Sequence, residues 1–116
     1  MRAYNWDQIA EENVNPLATR RMIHGEAMTV VRRHFLKGAV TNVHLHRDEQ
    51  ISMVERGAVL FLVAGVEHVV LANEALVIPS NVPHQLEALE DSFVTDVFAT
   101  PLPKHHTTTA GEKASS

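Results

Sequence analysis

The sequence predicts an all-β fold, a single-domain antiparallel sandwich or barrel, and three observations carry that expectation. From Met28 onward the apolar runs, rich in Val, Ile, Leu, Phe and Thr, are each only a few residues long. They are separated by turn-forming pairs and triplets: Gly25-Glu26, Lys37-Gly38, Arg56-Gly57, Ala64-Gly65, Ala72-Asn73-Glu74 and Glu90-Asp91. No interval between them has room for a crossover helix, so neighbouring strands must pair antiparallel.

The chain opens with a possible helix start at Asp7 and a helical stretch through Glu12. It stops before Asn15-Pro16, because the residue ahead of a proline is pushed out of the α region. This lead-in and a first edge strand occupy residues 1–26, and the barrel is expected over 27–103. Its strands are Met28–Leu36, Ala39–His46, Gln50–Glu55, Ala58–Ala64, Glu67–Leu71, Ala75–Ile78, His84–Leu89 and Ser92–Phe98. With aromatic residues at 5%, the interior is left to aliphatic side chains. From Lys104 to Ser116 there is almost no apolar content, and a flexible, disordered C-terminal tail is expected.

Composition narrows the function. A chain of 116 residues with 45% hydrophobic positions suits one core. The formal net charge of −4 is scattered, without a basic stretch to neutralise phosphates, so no nucleic-acid partner is expected. The longest apolar runs, such as Ala58–Val66, fall well short of the roughly 20 residues that span a bilayer. The first ten residues lack the pattern of a signal peptide, so no membrane partner and a cytoplasmic location are expected. The absence of cysteine removes disulfides and thiolate sites. Any metal must therefore rest on His, carboxylate or amide ligands.

Such ligands cluster. His44 and His46 are two apart on an expected strand, so both imidazoles face one side while Leu45 faces the other. Gln50 opens the return strand after Arg47-Asp48-Glu49 and can bring an amide oxygen to the same point. His84 follows the turn Pro79-Ser80-Asn81-Val82-Pro83, whose prolines fix its approach. Glu49 rivals Gln50 because carboxylates are the commoner hard ligands, but the two-residue period favours Gln50. With four neutral donors, the site keeps the full charge of a divalent ion; it should attract anions and favour Lewis-acid work over oxygen chemistry. His24, His34 and His68, taken singly, are ordinary core or surface residues, and His105 and His106 fall in the tail. Asp96 shares a face of the last strand with Val94 and Phe98, opposite Phe93, Thr95 and Val97. It is either an exposed carboxylate or a general acid/base directed into the barrel beside the metal.

These residues resemble the motifs of the cupins. The first cupin motif is Gly, five residues, His-x-His, three or four residues, Glu, six residues, Gly; it is matched by Gly38, His44, His46, Gln50 and Gly57, with Gln in place of Glu. The second is matched in register by Pro79 and His84, with Asn73 and Asn81 where glycines would stand. The resemblance implies a jelly-roll barrel, one divalent ion (Zn, Ni, Mn, Fe or Cu) and a homodimer formed through barrel edges. The chain is further similar to the pectin-degradation cupins, which open and ketonise 4,5-unsaturated uronates. It shares with them Glu49-Gln50, Ile78-Pro79-Ser80-Asn81-Val82-Pro83-His84, and Asp96-x-Phe98. That similarity implies Asp96 as acid/base, Phe98 as a wall of the substrate pocket, and a small anionic substrate. One departure stands out: Leu102 occupies the place of the arginine that pairs with the substrate carboxylate. Either Arg20, Arg21, Arg32 or Arg33 supplies that cation in its place, or the substrate is not that uronate. A cupin dioxygenase and a non-enzymatic metal- or ligand-binding cupin are the alternatives.

Overall fold

The structure, a computed structural model, describes residues 1–99. Nine strands follow one another: β1 (Glu12–Asn15), β2 (Ala18–His24), β3 (Thr29–Phe35), β4 (Gln50–Arg56), β5 (Ala58–Val63), β6 (Val66–Leu71), β7 (Glu74–Ile78), β8 (His84–Ala88) and β9 (Ser92–Phe98). All pairings are antiparallel, in a six-stranded sheet of order β1-β2-β3-β9-β4-β7 and a three-stranded sheet of order β6-β5-β8. The segment 39–44 runs beside β8 through bridges Val40↔Glu87 and His44↔His84 and adds to the smaller sheet's edge. Among the described residues no helix is long and apolar enough to cross a membrane.

Alternation decides what each strand buries. In β3, Thr29, Val31, Arg33 and Phe35 point inward; in β9, Ser92, Val94, Asp96 and Phe98; in β4, Gln50, Ser52 and Val54. Phe35, Val54, Val59, Phe61, Ile78 and Val94 belong to one continuous apolar core. Beside it several inward positions are polar. Register lines up Val31, Asp96 and Ser52 across three strands, and Thr29, Phe98 and Gln50 one row further on.

Two expectations are corrected. The helical stretch from Asp7 to Glu12 reduces to one 3₁₀ turn, Trp6–Gln8, with Asn5 as its cap. Glu12 instead begins β1, since Glu12 binds Arg20 Nε at 2.8 Å and Glu11 accepts from Thr19 Oγ1 at 3.0 Å. The lead-in thereby extends the large sheet by two strands. The second correction concerns Ala39–His46, which is bridged but not a continuous strand. Side chains take up groups that a regular ladder would use: Leu86 N–H donates to Thr41 Oγ1, and the His44 imidazole binds the Asn42 carbonyl. Lys104–Ser116 and Leu102 lie outside the described residues.

Gly57, between β4 and β5, has φ +92°, and a Cβ there would collide with Ser92 and the Asp91 carbonyl. Gly38 has φ +91° but open space around it. Both alanine variants should lose roughly 1–2 kcal/mol from the left-handed backbone. Gly57→Ala should lose clearly more, and urea unfolding of the pair checks this difference.

Candidate metal centre

His44 and His84 are held opposite each other by reciprocal backbone hydrogen bonds of 3.0 and 2.9 Å, which places their imidazoles side by side. The turn after β7 then clasps the first motif, since Asn81 N–H donates to the His46 carbonyl at 2.8 Å. Asn81 has φ +59°, a conformation that asparagine tolerates better than most residues. The ring nitrogens of His44, His46 and His84 come within 4.8 Å of one another.

Each ring is oriented the same way. Nδ1 of His44 meets the Asn42 carbonyl at 2.8 Å, Nδ1 of His46 the Asp48 carbonyl at 2.9 Å, and Nδ1 of His84 the Val82 carbonyl at 2.8 Å. A carbonyl only accepts, so each Nδ1 carries a proton, and a neutral ring held in this way offers its Nε2 lone pair. Carbonyl partners of this kind are what orient imidazoles in metal sites. Burial pushes His44 down to about 4, with smaller contributions of the same sign from His84 and His46, against the Asn42 bond. Burial likewise lowers His84. Both rings are therefore neutral near pH 7.

Gln50 Oε1 lies 3.2 Å from His46 Nε2, within hydrogen-bonding distance of it. Nε2 of His84 is buried without a hydrogen-bond partner. Three converging imidazoles with an amide oxygen beside them are a donor set that suits a divalent transition ion. Glu49, the rival ligand, is exposed.

Behind this centre runs a buried polar chain. Gln50 Nε2 donates to Ser52 Oγ at 2.9 Å, Ser52 Oγ donates to Asp96 Oδ1 at 2.6 Å, and Arg33 Nε donates to Asp96 Oδ2 at 2.5 Å. Asp96 is 2% exposed, Arg33 3% and Ser52 0%. Burial lowers the pKa of Arg33 and the Asp96 charge opposes that shift. A cavity of about 10 Å³ is lined by His44, His84, Gln50, Asp96 and Arg33, room for one water-sized group.

The structure thus brings His44, His46, Gln50, His84 and Asp96 together. Phe98, 1% exposed, meets His46 edge-on at 5.5 Å between ring centroids. Arg20 does not join them. Its Nε is tied to Glu12, and it lines a neighbouring groove with Asp7, Arg21, Arg32, Arg33 and His34, of which Arg33 alone also lines the histidine cavity. The cation at the centre is Arg33, one of the four arginines weighed from the sequence. Ser52 went unnoticed, although a signal was there: Arg33, Ser52 and Asp96 are polar residues at inward positions of apolar strands, and such groups require partners. His34 stacks on Phe93 at 4.5 Å and belongs to the outer face.

The class is a β-barrel in which three imidazoles converge, a group that could hold a metal ion. The chain belongs to the cupin family: the Cupin domain matches residues 31–99. An RmlC-like cupin from Shewanella frigidimarina NCIMB 400 is 27% identical with a TM-score of 0.80, covering 87% of this chain and 91% of that one. KdgF from Halomonas sp. is 30% identical with a TM-score of 0.78, covering 84% and 91%. Oxalate decarboxylase of Bacillus subtilis is 17% identical with a TM-score of 0.75, covering 84% of this chain and 29% of that one, a likeness of fold alone. A search of curated proteins by sequence gives no match.

The lowered His44 value has a consequence for stability in the metal-free protein. The unfolded chain takes up this proton near 6.5 and the folded chain only near 4. The unfolded state therefore binds more protons in that window, and the contribution of His44 is complete above 6.5 and declines as pH falls towards 4. Urea midpoints measured across this range should drop more steeply in the native protein than in His44→Gln.

Proposed function

We propose that this cupin is a metal-dependent enzyme acting on a small sugar acid, most specifically in ring opening or enol–keto tautomerisation of a 4,5-unsaturated uronate. The observation that carries the metal part is the convergence of ligand atoms: the ring nitrogens of His44, His46 and His84, the Nε2 of the last buried without a partner, with Gln50 Oε1 beside them. His44, His46, Gln50 and His84 would hold the ion, which can be Zn, Ni, Mn, Fe or Cu. When bound, it supplies Lewis acidity towards a carbonyl or hydroxyl oxygen. The pectin-degradation motifs, together with the likeness to KdgF, support the uronate as substrate.

The chain's own residues divide the remaining work. Asp96 lines the same cavity as His44 and His84 and is the acid/base of this reading. Both its oxygens are engaged, so it moves a proton only by exchanging its contact with Ser52 or Arg33. Arg33 takes the place proposed from the sequence for Arg20, as a positive charge beside the site. Phe98 supplies an apolar wall against His46. A second reading, a non-enzymatic metal- or ligand-binding cupin, is favoured by the water-sized cavity and by the fully bonded Asp96. A homodimer remains part of the proposal. Ile23, Val30, Val97, Ile51 and Val77 form an apolar row in register across five strands of the outer face, a surface two copies could share.

Metal analysis is the first test: His46→Ala and His84→Ala should each lose the ion, and unchanged content in both would overturn the site. Gln50→Ala should bind it more weakly while Glu49→Ala keeps it. Wild-type protein should remove the ultraviolet absorbance of a 4,5-unsaturated uronate, and Asp96→Asn should slow that turnover per bound metal by roughly 100- to 10,000-fold. Fully metallated protein inert towards every sugar acid would leave the non-enzymatic reading.

A further inference from the structure

The donors and acceptors behind the metal centre allow only one hydrogen-bond direction. Arg33 has donors alone, and as an ionised carboxylate beside it Asp96 has acceptors alone. Ser52 Oγ, 2.6 Å from Asp96 Oδ1, must therefore spend its single proton on that carboxylate. Its lone pairs then face Gln50, and only the amide nitrogen can satisfy them, at 2.9 Å. Once Nε2 is committed to Ser52, Oε1 is left on the side of His46 Nε2, at 3.2 Å. An amide has two nearly isosteric orientations, and one of them would present N–H groups to a cation. Alternation on β4 is what puts Gln50 and Ser52 on the same inward face, and register brings Ser52 opposite Asp96.

We infer that Ser52 is a positioning residue whose bond to the Arg33-paired Asp96 sets the orientation of the Gln50 amide, so that the buried ion pair dictates an oxygen, and not a nitrogen, towards the metal. This inference rests on Gln50 being a metal ligand. In it the ion pair acts at a distance of two hydrogen bonds, through direction alone. Asp96→Asn would replace an acceptor-only group with one that can donate to Ser52; the Ser52 proton would then turn to Gln50 and favour the flipped amide.

The test is Co²⁺ affinity, measured by chelator competition, with the visible absorption of bound Co²⁺ as a report on its donor set. Ser52→Ala should weaken Co²⁺ by roughly 10- to 100-fold, the range seen when partners behind a metal ligand are removed, and should alter the absorption band. Asp96→Asn should do the same where it folds. The Gln50→Glu background separates orientation from packing, because a carboxylate offers oxygen whichever way it turns. There, adding Ser52→Ala should change affinity less than threefold. Wild-type affinity in Ser52→Ala, or an equal loss in the Gln50→Glu background, would overturn the inference. His46→Ala and His84→Ala serve as reference: if these retain Co²⁺ the metal site itself is wrong, whereas if they lose it while Ser52→Ala does not, only the positioning role fails.

Discussion

The buried ion pair between Arg33 and Asp96 is the constraint around which the polar interior of this barrel is arranged. Both side chains point inward on neighbouring strands β3 and β9, where an unpaired charge would be strongly unfavourable. A buried pair is weak as a source of net stability, because desolvation opposes the attraction between the charges. Its effect is structural. With Asp96 bonded to Arg33, Ser52 bonds Asp96 and Gln50 bonds Ser52, so the polarity of the interior reaches the histidine cluster. The apolar core, packed from Phe35, Val54, Phe61, Ile78 and Val94, holds the strands in the register that this requires.

The histidines are oriented by a different device. None relies on a carboxylate; each gives its Nδ1 proton to a backbone carbonyl two residues away. Backbone carbonyls add no charge, so the donor set stays neutral, and a bound divalent ion would keep its attraction for anions. Two of these bonds, from His44 to Asn42 and from His46 to Asp48, lie in or beside the segment 39–46, which is bridged to β8 only at Val40 and His44.

Charge distribution separates two groups of arginines. Arg21 and Arg32 point outward, the latter 5.7 Å from the Trp6 ring and 3.8 Å from Glu55, and belong to the outer face of the large sheet. Arg20 is drawn to the edge strand by Glu12. Arg33 alone among these four lines the histidine cavity. The arginines follow one another along β2 and β3, and the alternation of β3 is what sends Arg32 and Arg33 to opposite faces.

What the sequence determined by itself was whatever depends on local pattern. Short apolar runs between turns specified an all-β antiparallel fold, and period-two alternation put Asp96 with Phe98 on one face, which only the tertiary structure turned inward. The spacing of His44, His46, Gln50 and His84 specified which residues to bring together, since a hairpin and a proline-framed turn leave little freedom in where they point. Pairing across the fold was decided elsewhere. That Glu12 would join a strand rather than a helix depended on Arg20 across an edge, and that Arg33 rather than Arg20 would stand at the centre depended on partners 63 residues apart in sequence. Ser52 has no motif to announce it. Its importance arises only because three strands, distant along the chain, place an arginine, a carboxylate, a hydroxyl and an amide in one line, where the direction of every hydrogen bond follows from the one before it.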